Sequence, residues 1–181
     1  MLQAFFSCAH DHKVALKLQF IPCVESLKML ILSHECVLLV DAENAFNTLN
    51  REASLINMNY ICPEFEKYVV NTYRKPPRLY INNGNGAFIM SDEGSTQGDN
   101  AAMSMYATSI KPLINHLKEE RIYSPTNVPV AKQVWFADDS GSGGKIGSTL
   151  AWFKELSSAG SHLGYRPNPS KCFLVVKNDD T

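Results

Sequence analysis

The chain has 181 residues, 45% of them hydrophobic, enough to bury roughly 70% of its unfolded surface as a single globular domain. No apolar run approaches the ~20 residues that span a bilayer, and no basic segment leads into an unbroken apolar core at the N-terminus, so neither a membrane partner nor a secretion signal is expected. With 17 basic and 18 acidic residues the net charge is −1, which excludes the broadly basic footprint of proteins that hold nucleic acid by charge alone.

In chain order, Val24, Leu27, Leu30 and Ile31 recur at helical spacing after Pro22 and predict a helix. Cys36-Val37-Leu38-Leu39-Val40 is apolar without alternation, the pattern of a strand buried on both faces, and it ends at Asp41. Pro63 opens a second helix whose Phe65, Tyr68, Val69 and Thr72 share a face. Arg78–Ile81 and Ala87–Met90 flank Asn82-Asn83-Gly84-Asn85-Gly86 and read as a hairpin with a five-residue loop. A long helix follows from about Asn100, with Pro112 expected to kink or break it. Lys132–Phe136 and the segment from Lys145 onward are predicted as arms of a hairpin whose tip holds Asp138 and Asp139. Leu150, Trp152, Phe153 and Leu156 mark another helix, and Cys172–Val176 a last strand. The sum is an α+β fold, an antiparallel sheet backed by helices. Internal repeats, low-complexity segments and linkers are absent from the sequence.

Five cysteines, Cys8, Cys23, Cys36, Cys62 and Cys172, form an odd set without paired spacing. Cys36 and Cys172 lie in apolar runs, where a thiol packs as a small hydrophobe, so an intracellular, reducing compartment is expected, nuclear or cytoplasmic alike.

The residues that bear chemistry are carboxylates. Trp135-Phe136-Ala137-Asp138-Asp139-Ser140 places two adjacent aspartates at the end of an apolar run. Asp-Asp-Ser-Gly-Ser-Gly-Gly is also good turn chemistry, and a solvated turn is one reading of it. The other is a divalent cation site, because hard carboxylate oxygens suit Mg²⁺. Asp41 stands in the same kind of setting, closing an apolar strand. Three carboxylates converging at strand ends would hold two ions about 3.5–4 Å apart, the arrangement of in-line phosphoryl transfer. Two other motifs fail on spacing. Gly141-Ser142-Gly143-Gly144-Lys145 lacks a glycine where Asp139 stands and a hydroxyl residue where Ile146 stands, as a phosphate-binding loop would require. Cys8, His10, His12, His34 and Cys36 match no common zinc spacing.

At four places the chain resembles reverse transcriptases. Val40-Asp41-Ala42-Glu43-Asn44-Ala45-Phe46 resembles their first palm motif, Gly94-Ser95-Thr96-Gln97-Gly98-Asp99 the second, Phe136-Ala137-Asp138-Asp139 the third, and Gly164-Tyr165-Arg166-Pro167-Asn168-Pro169-Ser170-Lys171 the fourth. Each is short, but four in the expected order over residues 36–177 make a specific signal, closest to retrotransposon-type enzymes. The resemblance implies an RNA-directed DNA polymerase that joins deoxynucleotides to a primer 3′-hydroxyl on an RNA or DNA template, using two Mg²⁺ ions, with Mn²⁺ an alternative.

By the same resemblance Asp41 and Asp138 are metal ligands, Asp139 a secondary carboxylate and the Ala42 carbonyl a backbone ligand. Phe46 matches the aromatic that floors the sugar pocket and leaves no room for a 2′-hydroxyl; without the resemblance it reads equally as a core phenylalanine. Gln97, with Gly98, matches the contact to incoming nucleotide and template, in a loop that opens a helix; Asp99 or Ser95 is expected to cap that helix. Asn100 stands where many family members carry proline, which lowers preorganisation of the first helical turn. Lys171 matches the general acid toward the pyrophosphate leaving group, though a lysine before a strand is also an ordinary solvated residue. Arg74-Lys75-Pro76-Pro77-Arg78, near Tyr73 and Tyr80, suits a nucleic-acid backbone with aromatic stacking and equally a solvated loop. The implied division is 1–35 as a partial fingers segment and 36–181 as a palm, with truncated fingers and no thumb. The alternative is an inactive relic or nucleic-acid-binding fragment of such an element.

Overall fold

The computed structural model of the chain describes residues 3–6, 16–19, 35–81, 86–96, 98–119 and 131–177. The helix expected over Val24–Ile31, the Cys8/His10/His12/His34 group and Gln97 lie outside them. In chain order the elements are β1 (Gln3–Phe6), β2 (Leu16–Gln19), β3 (Cys36–Val40), α1 (Ala45–Thr48), α2 (Arg51–Ile61), α3 (Pro63–Tyr73), β4 (Arg78–Tyr80) and β5 (Phe88–Met90). They continue with α4 (Ala102–Glu119), β6 (Lys132–Phe136), β7 (Asp139–Gly144), α5 (Ile146–His162), a 3₁₀ turn at Pro169–Lys171 and β8 (Phe173–Val176). Two compact units result.

The first unit gathers Met1–Asp41, Arg121–Lys154 and Pro167–Thr181. β1 and β2 pair as an antiparallel ladder. The main sheet has the order β6-β7-β3-β8 and every neighbouring pair is antiparallel. β3 lies inside it, with Cys36, Val37 and Val40 buried, as its unbroken apolar run predicts. β7 corrects the sequence reading. The returning strand begins at Asp139 rather than at Lys145, so the Ser-Gly-Ser-Gly-Gly run is strand and not turn. Crowding explains the small residues: a Cβ on Gly144 would stand 3.1 Å from the Ala131 Cα, and one on Gly141 3.2 Å from a Val134 methyl. Local composition points to a turn, but two flanking strands leave room for little else.

The first turns of α5 back this sheet. The Cys36 thiol lies 3.4 Å from the Thr149 hydroxyl, and the Gln133 side-chain oxygen accepts from both the Trp135 and Trp152 indole N–H groups at 3.0 Å. One amide oxygen thus satisfies two indoles whose rings meet edge-on at 6.3 Å. This is the antiparallel sheet backed by helix expected from the sequence.

The second unit gathers Ala42–Glu120 and Glu155–Arg166. Asn50 caps α2 by accepting from the Ala53 N–H, and Pro63 begins α3 as predicted. The buried face of α3 runs through Val69 and Tyr73, whereas Tyr68 and Thr72 are exposed; spacing by four, not three, sets this stripe. Pro112 does not break α4, which continues for 18 residues. Met105, Tyr106, Ile110, Leu113 and Leu117 are buried on either side of it. The loss of one hydrogen bond to the Thr108 carbonyl is outweighed by that continuous face, which packs on α2, and the Asn57 amide donates to the Ser109 carbonyl at 3.1 Å. The β4–β5 hairpin forms as expected, with Arg78 opposite Met90 and Tyr80 opposite Phe88.

In this unit Gly164, at φ 81°, lies where the chain presses against the end of α1. A Cβ there would fall 1.9 Å from the Thr48 carbonyl oxygen and 2.7 Å from the Asn50 nitrogen. Both sterics and the left-handed conformation forbid a side chain. Gly164→Ala should therefore lower unfolding free energy by about 2 kcal/mol or more in urea titration. Gly147→Ala, in the first turn of α5 with open space around it, should be neutral or raise stability by up to about 1 kcal/mol.

Candidate active site

Asp41 follows the last residue of β3. The β3–β7 ladder pairs Val40 with Ser140, and its next register position sets Asp41 opposite Asp139. Residues paired across an antiparallel ladder present their side chains to the same face. β6 and β7 are joined by the two-residue turn Ala137-Asp138, closed by the Phe136–Asp139 pair. Ala137 sits at φ 51°, a conformation that tight hairpin turns usually assign to glycine, so the turn carrying Asp138 is strained.

The electrostatics are those of crowded like charges. Burial, then Asp138, then Asp41 push the Asp139 carboxyl up to about 7, and Lys171 only partly offsets them. The Asp41 Oδ1 is buried and accepts no hydrogen bond; the Lys171 ammonium stands 3.4 Å from it. An anionic oxygen held out of water without a hydrogen bond costs free energy unless a cation completes it.

The fourth motif brings that lysine in. Asn168 donates its N–H to the Asp41 carbonyl at 2.8 Å and caps the 3₁₀ turn, accepting from the Ser170 N–H and hydroxyl. One turn later Lys171 faces Asp41. Burial raises the neighbouring Cys172 thiol; the Asp41 main chain draws it back and the Asp41 carboxylate raises it again. Sequence reasoning missed Asn168, whose signal was an Asn-Pro-Ser start of a helical turn.

Among the described residues, no three His, Cys, Asp or Glu side chains stand ready-made as a metal cage. The donor chemistry nevertheless fits a hard divalent cation. It offers a buried carboxylate oxygen that accepts no hydrogen bond and meets only the Lys171 ammonium at 3.4 Å, a second carboxyl pushed up to about 7, and oxygen donors throughout.

The other expected residues belong to the second unit. Ala42 is buried. Phe46 is half-buried, its ring 4.9 Å from that of Tyr106. The second motif is stitched to the first: Ser95 N–H donates to the Phe46 carbonyl at 2.7 Å and Gly94 N–H to the Leu49 carbonyl at 2.9 Å. A Cβ on Gly94, at φ 74°, would lie 2.3 Å from the Phe46 carbonyl oxygen, which is why glycine begins this motif. Gly98, at φ 98°, is exposed in open space. Asp99 closes the turn that leads into α4, accepting from the Ala101 N–H at 2.9 Å; the Ser95 hydroxyl, the other expected cap, is buried without a hydrogen bond. The Tyr73 hydroxyl donates to Asp99, which holds that carboxyl below the usual range, helped by the Ala101 N–H.

Neither Arg51 nor the helix it opens was singled out in the sequence. Arg51 is buried, donates to the Ser91, Glu93 and Gly94 carbonyls, and lies over the Tyr73 ring at 5.5 Å. Its guanidinium fork thus fastens the strand end and loop that lead into the second motif.

No protein-family model and no curated protein sequence matches the chain. Solved structures do. Apo telomerase from Candida tropicalis is similar with a TM-score of 0.62 at 11% identity, over 86% of this chain and 31% of that one. The same telomerase truncated from its C-terminal domain is similar with a TM-score of 0.54 at 11% identity, over 81% of this chain and 31% of that one. The chain thus spans about a third of the length of these telomerase chains. At this identity the likeness is one of fold alone: an α+β arrangement with an antiparallel sheet backed by helix.

The carboxylate cluster predicts a pH signature. Asp139 titrates higher folded than unfolded, so its contribution to stability is full below about 4 and is lost as pH rises through about 7. In EDTA the melting temperature should therefore fall between pH 5 and pH 8, and Asp139→Asn should flatten that slope. Mg²⁺ should raise the melting temperature more at pH 8 than at pH 5.5, because the proton and the cation compete for the same oxygens. An identical slope in Asp139→Asn would place the effect elsewhere.

Proposed function

We propose that this chain is the palm of an RNA-directed DNA polymerase of retrotransposon type, which transfers deoxynucleotides to a primer 3′-hydroxyl. The observation that carries the reading is the carboxylate pair at the end of β3 and β7, where the Asp41 Oδ1 is buried without a hydrogen bond and Asp139 retains its proton up to about pH 7. The order of the four motifs supports the same reading, and the reverse-transcriptase-like fold is the scaffold on which such carboxylates work.

Asp41, Asp138 and Asp139, with the Ala42 carbonyl, would hold two Mg²⁺ ions, or Mn²⁺. Bound there, the ions would lower the pKa of the 3′-hydroxyl and steady the triphosphate leaving group. The remaining roles are those of the chain. Asp139 gives up its proton as cations bind. Lys171, already 3.4 Å from Asp41, supplies a positive charge and a transferable proton for the departing pyrophosphate. Phe46 offers a flat ring that selects against the 2′-hydroxyl, and its support on Tyr106 keeps the ring from yielding. Gln97 and Gly98 contact the nucleotide and template. Chemistry of this kind rests on positioning and charge neutralisation rather than on covalent participation by the protein.

Primer extension on an RNA template with deoxynucleotides and Mg²⁺ tests the proposal. The chain should extend the primer, and Asp138→Asn should reduce extension by about 10³-fold, the scale of losing a charge-stabilising group. No extension by folded protein, shown by its circular dichroism and cooperative melting, would overturn activity and leave an inactive, nucleic-acid-binding relative. For the sugar, Phe46→Ala should raise ribonucleotide incorporation about tenfold or more relative to deoxynucleotides. Unchanged discrimination would remove the role assigned to that ring.

A further inference from the structure

The β4–β5 hairpin is unlike the rest of the second unit, because every residue of both strands is exposed. Its register sorts the side chains. Arg78 pairs with Met90 and Tyr80 with Phe88, so these four share one face, while Leu79 and Ile89 occupy the other. On the first face the Tyr80 and Phe88 rings are 6.0 Å apart and the Arg78 guanidinium lies 4.8 Å over Phe88. Tyr80 is 69% and Phe88 44% exposed. Large aromatic rings left in water beside a cation lose hydrophobic free energy unless something covers them.

Charge indicates what covers them. From Arg74 to Ser91 the sequence holds three basic residues, Arg74, Lys75 and Arg78, and no acidic one, in a chain of net charge −1. All three are exposed. A polyanion that also presents flat apolar faces meets both halves of this surface: phosphates for the cations, unpaired bases for the rings. A duplex hides its base faces and would engage only the charge.

The hairpin is also held firmly at its base. Ser91 N–H donates to the Pro77 carbonyl at 3.0 Å, and the buried Arg51 donates to the Ser91 carbonyl at 2.7 Å. The surface is therefore presented on a fixed root, which lowers the entropy lost on binding.

We propose that the Arg78/Tyr80/Phe88/Met90 face of the β4–β5 hairpin, with Arg74 and Lys75, is a binding surface for single-stranded nucleic acid. It uses none of the residues of the carboxylate site and does not rest on polymerase activity. Binding needs no divalent cation and is tolerant of sequence, since every base has a stacking face.

The test is fluorescence anisotropy in EDTA with labelled 20-mers of oligo(dT) and oligo(rU), a duplex of equal length, and a series of salt concentrations. EDTA keeps this readout apart from metal-dependent extension, so failure here leaves the proposed chemistry standing and the reverse. The single strands should bind more tightly than the duplex. Tyr80→Ser/Phe88→Ser should weaken single-strand binding about tenfold or more, with little change for the duplex. Arg74→Gln/Lys75→Gln/Arg78→Gln should reduce the slope of log affinity against log salt by about 2, from about 0.7 per phosphate contact. All five positions are exposed, and unchanged melting curves would confirm intact folding. Comparable affinity of oligo(dT) and oligo(rU) would mean stacking and charge alone are read, and a preference for oligo(rU) would mean a 2′-hydroxyl contact as well; either supports the surface. Binding that survives both sets of substitutions, no binding by the unaltered chain, or self-association abolished by Tyr80→Ser/Phe88→Ser would overturn it.

Discussion

Burial of neighbouring carboxylates at the end of an inner strand is the constraint around which the main sheet is arranged. Asp139 is raised by burial and by both Asp138 and Asp41, and the Asp41 oxygen within that cluster is desolvated without a hydrogen bond. A fold selected for stability alone would replace at least one of them with an apolar side chain. Their persistence is offset only in part by Lys171. The surrounding structure bears the cost through a sheet whose inner strands are tightly paired, and the strained Ala137 of the connecting turn adds to that cost. Stability sacrificed at a site and recovered in the scaffold is the ordinary signature of function.

Close backbone approach is the second theme, and it explains what the motif glycines do within the second unit. Gly94 and Gly164 both occupy left-handed conformations, and both lie where a Cβ would collide with the main chain around α1. The first motif thus serves as the surface on which the second motif and the start of the fourth are laid, through main-chain hydrogen bonds from Ser95 to Phe46 and from Glu43 to Arg166. Arg51 adds a buried guanidinium that ties three carbonyls of the segment leading to the second motif. Such a network is costly to satisfy and rigid once satisfied, so it fixes the segment that leads into the second motif.

Much of this was readable from local pattern. The unbroken apolar run of Cys36–Val40, the helix opened by Pro63, the paired strands Arg78–Tyr80 and Phe88–Met90 and the helix around Trp152 all appeared where local pattern predicts them, while the loop at 82–85 lies outside the described residues. The misreadings share one cause. β7 looks like a turn because its glycines answer to strands on either side rather than to their own neighbours. Pro112 looks like a breaker because the apolar face that carries α4 through it is formed with α2. The α3 stripe shifts from Tyr68 to Tyr73 for the same reason, since Tyr73 is claimed by Arg51 and Asp99.

The sequence by itself determined which residues are chemically able to act: three aspartates in apolar settings, a glycine-bearing polar loop, a lysine before a strand, and a basic-aromatic hairpin. These follow from side-chain type and spacing, which are local properties. Only the tertiary structure decided that Asp41 stands opposite Asp139, that its buried oxygen accepts no hydrogen bond and that Lys171 is its ion-pair partner. It also decided that Arg51 is a buried clamp and that Tyr80 and Phe88 share an exposed face. Register, burial and like-charge proximity join residues about a hundred positions apart, and no local pattern encodes the distance between them.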